Sequence, residues 1–147
     1  MITATTITGT FIIDAGAFLM ARVRGSNGLL ITQASVSTIT YTVRDLTNAT
    51  TVATNQSLTV ASVVYNSLQQ SDPRWDVDSA FQRGRDGEFG YNFAATVPAA
   101  HFATFDVEST SPFKETPHRY RVTVEFFPVT GAVFRQNFEG TALPTFP

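Results

Sequence analysis

Apolar and polar residues alternate with a period of two along much of this chain. The clearest run covers residues 37–45, where Ile39, Tyr41 and Val43 share one face and polar side chains occupy the other. Successive side chains of a β-strand point to opposite faces of a sheet. The run therefore predicts a half-buried strand.

A second alternating run covers residues 120–127. Its apolar face is formed by Tyr120, Val122, Val124 and Phe126. Pro128 then follows, and a proline cannot donate to the ladder of a central strand. A turn at residues 129–131 and a partner strand at 133–139 come next, so residues 120–139 predict a β-hairpin.

Weaker strand patterns fill most of the remaining chain. They cover residues 5–13, 18–24, 29–33, 58–65 and 91–97, and Gly25-Ser26-Asn27-Gly28 predicts a turn before the third of them. Residues 62–70 are compatible with a short helix instead of a strand, because the spacing of their apolar residues does not distinguish the helical period of about 3.6 from the strand period of two. No segment predicts an amphipathic helix of three turns or more, and the 22 threonines favour strands.

Seven to nine short strands separated by turns predict an all-β protein, an antiparallel β-sandwich that is immunoglobulin-like or jelly-roll-like. The 147 residues fit one domain spanning residues 1–147, with extended arms expected at residues 1–6 and 143–147. Tyr120 begins a strand after a polar, proline-bearing crossing at residues 108–118, which is where an immunoglobulin-like sandwich has its corner tyrosine. The alternative is an ordinary aromatic residue at a strand start.

Composition excludes several classes of function. Only 15% of residues are charged, the net charge is −2 and Lys114 is the single lysine, whereas about 25% of residues are charged in an average domain. This balance argues against nucleic-acid binding. The absence of cysteine excludes disulfides and thiol chemistry. No apolar run is long enough for a membrane-spanning helix, and residues 1–24 lack the pattern of a secretory signal, so we expect folding inside the cell.

The polar segment 69–91 is the candidate binding loop. It contains the only tryptophan, Trp75, together with Arg74, Arg83 and Arg85. Tryptophan and arginine are enriched at interface hot spots, and loops longer than about 12–15 residues are usually functional or disordered. We therefore predict that these four residues bind a partner. An equally supported interpretation has Trp75 closing the end of the sandwich, and sugar stacking on Trp75 ranks behind both.

Catalytic and metal-binding patterns are weak. Asp72, Asp76 and Asp78 lack the spacing of a calcium loop. Asp76 with Asp86 or Glu88 provides a carboxylate pair of the kind a glycosidase uses, but such pairs are available in any chain with twelve acidic residues. His101 and His118 are 17 residues apart in loop-like contexts. We expect no enzyme activity, no cofactor and no metal.

Two pairs of arginines alternate onto strand faces, Arg22 with Arg24 and Arg119 with Arg121. With a net negative charge on the chain, the expected partners are carboxylates across neighbouring strands or an acidic protein surface.

Several segments of the C-terminal half carry a family resemblance. They are Trp75-Asp76-Val77-Asp78, Gly90-Tyr91-Asn92-Phe93 with Val97-Pro98, and Tyr120-Arg121-Val122-Thr123-Val124 with the hairpin at Gly131. In their overall pattern of residues, these segments resemble small β-sandwich structural proteins of tailed bacteriophage virions. The resemblance implies a non-enzymatic protein such as a capsid cement or decoration protein, a neck or tail accessory, or a baseplate module that contacts host glycans.

The expected function is therefore that of a cement or decoration protein that stabilises a phage capsid through protein–protein contacts. The expected partners are other virion proteins, above all the major capsid protein, and a homo-oligomer is an option. Nucleic acid and membrane are not expected as partners. The expected location is the virion, assembled in the host cytoplasm. The alternatives are a carbohydrate- or receptor-binding module of a tail or baseplate, a neck or tail accessory protein, and a free bacterial adhesion domain.

Overall fold

A computed structural model describes residues 5–12, 17–69, 90–102, 105–107 and 115–143. Within these ranges lie a one-turn helix, α1 (Val60–Val63), a 3₁₀ turn (Ala99–Phe102) and ten strands. The strands are β1 (Thr5–Ile12), β2 (Ala17–Ala21), β3 (Val36–Asp45), β4 (Thr50–Leu58), β5 (Val64–Gln69), β6 (Tyr91–Val97), β7 (Phe105–Val107), β8 (Glu115–Pro117), β9 (Arg119–Pro128) and β10 (Phe134–Leu143).

Eight of these strands form two sheets that pack into a β-sandwich, as predicted. The larger sheet has the order β1-β10-β9-β3-β4, and the smaller sheet has the order β2-β6-β5. All pairings in them are antiparallel except that of β1 with β10, which is parallel. Strands β7 and β8 form a separate two-stranded ribbon. The two sheets therefore hold a number of strands within the predicted seven to nine.

Seven of the eight sandwich strands are arranged in the order found in a variable-type immunoglobulin sandwich, and β1 pairs with β10 in the larger sheet. In that fold, one sheet contains strands G, F, C and C′, and the other contains B, E and D. Here β10-β9-β3-β4 and β2-β6-β5 occupy these positions in the same chain order. Tyr120 is fully buried at the start of β9, the strand in the F position, where the corner tyrosine belongs.

The two clearest predicted strands are confirmed. In β3 the side chains of Ile39, Tyr41 and Val43 are buried, and in β9 every second residue from Tyr120 to Phe126 is buried. The two strands pair with each other at the centre of the larger sheet. Each therefore has one face in the core and one face outside, which is the arrangement that strict alternation indicates.

Aromatic residues fill both ends of the core. At one end Phe11 stacks on Phe102 with ring centroids 4.4 Å apart, and Tyr120 meets both rings edge-on. At the other end Phe126 stacks on Phe134 at 5.0 Å and meets Phe93 edge-on. Each such aromatic pair stabilises the folded state by about 0.5–1.5 kcal/mol beyond the contribution of the surface area that it buries.

Two of the weaker strand predictions need correction. Residues 29–33 form no strand, because only Leu30 makes a bridge, to Arg24, while the flanking residues belong to turns. The strand predicted at residues 58–65 is also wrong, because β4 ends at Leu58, helix α1 covers Val60–Val63 and strand β5 begins only at Val64. The helix considered for residues 62–70 thus lies earlier in the chain. Helix α1 begins where the amides of Ser62 and Val63 both donate to the Thr59 carbonyl.

Part of the expected arms belongs to the sandwich. Thr5 and Thr6 are the first residues of β1 and pair with Gln136 and Asn137, and Leu143 is the last residue of β10. The rest of the expected arms, residues 1–4 and 144–147, lies outside the described residues.

Candidate protein-interaction site

The four residues predicted to bind a partner, Arg74, Trp75, Arg83 and Arg85, lie outside the described residues, as do the carboxylates considered for calcium and for catalysis, Asp72, Asp76, Asp78, Asp86 and Glu88. The described residues that flank this segment have a clear position. Gln69 pairs with Tyr91, and the Gly90 carbonyl accepts a hydrogen bond from the Arg22 guanidinium at 3.1 Å. Both flanks therefore lie beside the segment that connects β2 to β3.

We call this end of the sandwich the loop end. It consists of residues 22–35, between β2 and β3, and residues 129–133, between β9 and β10. The two connections touch, since the Val129 amide donates to the Ser35 carbonyl at 3.0 Å. In an immunoglobulin variable domain, the corresponding B–C and F–G loops form the antigen-binding end.

Short polar contacts shape the 22–35 connection. The Asn27 side chain accepts the Leu29 amide at 3.0 Å, the Gly28 amide donates to the Gly25 carbonyl, and the Gly25 amide donates to the Leu29 carbonyl. Gly28 has a φ of 81°, a conformation that glycine adopts without strain. The sequence Gly-Ser-Asn-Gly therefore forms the predicted turn and places Leu29 at its exit.

A buried asparagine ties this connection to β6. Asn92 is 1% exposed, and its side chain accepts the Val23 amide at 2.7 Å and donates to the carbonyls of Val23 and Ile31. Side-chain bonds of this kind replace the ladder that residues 29–33 lack. This role of Asn92 was not predicted, because the sequence around an asparagine does not indicate which distant backbone groups its side chain will bond.

A cavity of about 520 Å³ opens at the loop end. No charged side chain is among the described residues that line it. Leu29, Leu30, Ile31, Val36, Pro128 and Phe134 form the apolar part of the lining, and Ser26, Asn27, Thr32, Ser35, Thr130 and two glycines complete it. The cavity is thus an apolar recess with an uncharged polar border.

Exposed apolar side chains concentrate at the loop end, and one of them, Leu29, lines the cavity. Among the described residues, four large apolar side chains are exposed: Leu29 (66%), Val129 (65%), Val133 (37%) and Val52 (41%). The first three belong to the loop end, and only Val52 lies elsewhere, on β4. Exposed apolar side chains grouped around a recess are typical of an interaction site.

The predicted pairing of arginines with carboxylates is confirmed for Arg119 and Arg121, both of which contact Glu139 on the neighbouring strand β10. At the loop end, Arg24 instead donates to the Gly28 carbonyl at 3.0 Å. Arg119 and Arg121 thus contact a carboxylate, whereas Arg22 and Arg24 each donate a hydrogen bond to a backbone carbonyl.

The two histidines differ in their surroundings. His118 does not lie in an open loop, because it is fully buried and its Nδ1 lies 2.5 Å from the Asp45 carboxylate. Its position corrects the loop-like context that the sequence indicated. A catalytic base must reach the proton of a substrate, and side chains exposed by 0% and 3% offer no such access. His101 lies in the 3₁₀ turn beside the Tyr41 hydroxyl.

Within the described ranges, no group of three or more histidine and acidic side chains has the arrangement of a metal site. Nor does the described part of the chain contain a helix long and apolar enough to span a membrane. Compared with protein-family models, with curated proteins and with solved structures, the chain matches none of them.

Proposed function

We propose that this protein is a non-enzymatic structural protein of a bacteriophage particle, a capsid cement or decoration protein that binds a neighbouring shell protein through its loop end. The observation that carries the proposal is the group of exposed apolar side chains at the loop end, where Leu29 lines an apolar cavity and Val129 and Val133 belong to the connection that contributes Thr130 and Gly131 to its lining. Apolar residues cluster at the centre of protein interfaces, where charged residues are depleted. The bacteriophage setting comes from the family resemblance of the C-terminal half.

The lining of the cavity favours a protein side chain over a sugar. Carbohydrate recognition needs hydrogen-bonding groups that match many hydroxyls, together with an exposed aromatic ring. The aromatic residue in this lining is Phe134, which is only 6% exposed and already stacked on Phe126. The apolar residues of the lining instead fit an aliphatic or aromatic side chain of the partner.

Substitution of the exposed residues tests the site. We expect Leu29→Ser and Val129→Ser each to weaken binding to purified particles that lack the protein by about tenfold, in line with a contact of about 1.4 kcal/mol at the centre of an interface. The measurement is co-sedimentation with those particles. Thermal unfolding should stay unchanged, because both side chains are mostly exposed.

Val52→Ser is the matched control, because it removes an exposed valine on β4, outside the loop end. Equal losses for Val52→Ser and Val129→Ser would show that the loop end is not the contact.

Copy number in purified particles tests the class of protein. A cement protein is present in hundreds of copies, as the symmetry of a shell requires, whereas a few dozen copies or fewer would place it in the neck, tail or baseplate.

A further inference from the structure

Three arginines come together on the outer face of the larger sheet, at the end opposite the loop end. Arg44 on β3 lies directly opposite Arg121 on β9, and Arg119 lies two residues before Arg121. Like charges directly opposite each other destabilise a strand pair. This arrangement therefore needs either a compensating group within the protein or one supplied from outside.

The compensation within the protein is incomplete. Glu139 accepts a hydrogen bond from Arg121 Nε at 2.9 Å and lies 3.9 Å from Arg119. Arg44 donates only to neutral oxygens, the Thr51 hydroxyl at 3.3 Å and the Ala49 carbonyl at 3.1 Å. Among the described residues, the three guanidinium groups of this cluster thus have one carboxylate as partner, that of Glu139.

The base of this cluster is held in place from inside the sheet. Asp45, next to Arg44, contacts the buried His118, next to Arg119. The Leu46 amide donates to the Arg119 carbonyl at 2.7 Å, and the Arg119 amide donates to the Thr47 hydroxyl at 2.9 Å. These contacts fix the backbones that carry Arg44 and Arg119 relative to each other.

We propose that Arg44, Arg119 and Arg121 form a second interaction surface, which binds an acidic segment of a partner protein. Arg119 and Arg121 are 54% and 39% exposed at their side chains, and Arg44 is exposed too. Guanidinium groups hold carboxylates through paired hydrogen bonds. The excess positive charge of the cluster is complementary to such a segment and goes beyond the apolar contact of the loop end.

A carboxylate partner fits this cluster better than a nucleic acid. Proteins that bind the phosphate backbone tightly make about 6–10 phosphate contacts. This cluster offers three arginines, two of which already contact Glu139, on a chain whose net charge is −2. A short acidic segment needs only two or three cations at fixed positions.

Titration of the labelled protein with a poly-glutamate peptide tests the proposal, with amide chemical shifts as the readout. We expect salt-sensitive shifts at residues 44, 47–51, 119–121 and 139, and none with a poly-lysine peptide. Arg44→Ala should raise the Kd for poly-glutamate about fivefold, the effect of one exposed ion pair. Arg119→Ala should also raise the Kd about fivefold, because the contact of Arg119 with Glu139 is long. It replaces Arg44→Ala in the test if that variant does not fold.

Arg135→Ala is the matched control, because it removes an exposed arginine from β10 that is already paired with Glu125 at 3.0 Å. It should change the Kd less than twofold. Equal effects of Arg44→Ala and Arg135→Ala would overturn the proposal, as would shifts centred elsewhere. A single-stranded oligonucleotide that shifts the same amides at lower concentration would identify the cluster as a phosphate site. Leu29→Ser should leave poly-glutamate binding unchanged, so the two surfaces are tested separately.

Discussion

Asp45 is the residue on which the contacts at the arginine end converge. One carboxylate oxygen accepts the amides of Thr47 and Asn48 at 3.0 and 3.1 Å, and the other contacts His118. The carboxylate therefore shapes the turn after β3 and also connects it to the start of β9. A buried acidic residue is tolerated only when its hydrogen-bonding capacity is met, and here it is met from both sides.

We expect Asp45→Asn to lower the free energy of unfolding by about 3 kcal/mol, because it removes one partner of a buried pair. His118→Asn should cost a similar amount. The double variant should cost clearly less than the sum, since the two changes remove the same contact. Urea unfolding of the four proteins measures the coupling. Additive losses would show that the two side chains act independently.

Tyr41 gives the protein a dependence on alkaline pH. Burial raises the pKa of the Tyr41 hydroxyl above its usual value of 10.0. The folded state then holds a proton that the unfolded state has lost, so stability falls as the pH rises above 10. We expect the unfolding free energy of Tyr41→Phe to fall less steeply above pH 10 than that of the unmodified protein, because the variant has no hydroxyl at this position to titrate. The measurement is the difference in unfolding free energy between the two proteins below and above pH 10, and identical slopes would contradict the prediction.

At the scale of elements, β4 forms an edge of the larger sheet and carries a bulge. Tyr41 pairs with Gln56 and Val43 with Ala53, so Thr54 and Asn55 together lie opposite Thr42. Asn55 has a φ of 48°, and its amide donates to the Thr42 hydroxyl at 3.1 Å. Bulges on edge strands discourage pairing with another chain. This uncharged edge is protected by its backbone shape.

Substitutions at Asn55 test the bulge. We expect Asn55→Val to cost about 1–2 kcal/mol, because a β-branched residue is strained at positive φ. Asn55→Gly should be nearly neutral, since glycine adopts this conformation freely. Thr54→Val is the control on the same strand. Urea unfolding and size-exclusion chromatography provide the readouts, and a stable, monomeric Asn55→Val protein would show that the bulge is dispensable.

Alternation predicted the strands that have one face in the core, and it failed where side chains replace a ladder. The bounds predicted for β6 match the structure, and β3, β9 and β10 agree within a few residues. Residues 29–33 have a strand-like composition, but the Ile31 carbonyl accepts from the Asn92 side chain and the Ile31 amide donates to the Val23 carbonyl. Such long-range contacts between polar groups have no local signature in the sequence.

The candidate site was only partly predictable for a related reason. The turns at residues 25–28 and 129–131 were predicted, but the sequence does not show that they meet at one end of a sandwich. Exposure of Leu29 and Val129 depends on that tertiary arrangement. The pairing of Arg121 with a carboxylate across strands was predictable, because facing positions on neighbouring strands interact. The excess charge at Arg44 appears only once β3 is placed beside β9.

At the scale of the molecule, the two proposed surfaces lie at opposite ends of the larger sheet. β3 begins at the loop end with Val36, and Arg44 lies eight positions further along the strand, about 26 Å away at roughly 3.3 Å per residue. Together, the proposed apolar contact at one end and the proposed charged contact at the other predict a protein that connects two neighbours. This geometry matches the proposed role in a shell.

The bridging geometry predicts that the two contacts act independently in binding. Residues more than about 7–10 Å apart, without shared partners, usually have additive effects. We expect Arg44→Ala to lose about fivefold in affinity for depleted particles, as for poly-glutamate, and a protein with both Leu29→Ser and Arg44→Ala to lose about fiftyfold, the product of the single effects. Each single variant should still bind at high concentration but protect particles less against heat. Full protection by either single variant would contradict bridging.

The parallel pairing of β1 with β10 has a consequence for how the chain folds. Thr5 pairs with Gln136 and Ile12 with Leu143, so β1 cannot pair until β10, far later in the sequence, has been synthesised. Contacts between residues so distant in sequence are slow to form, and proteins dominated by them fold over about milliseconds to seconds. During synthesis, β3 and β4 have each other as partners early, whereas β1 gains its partner only with the final strand.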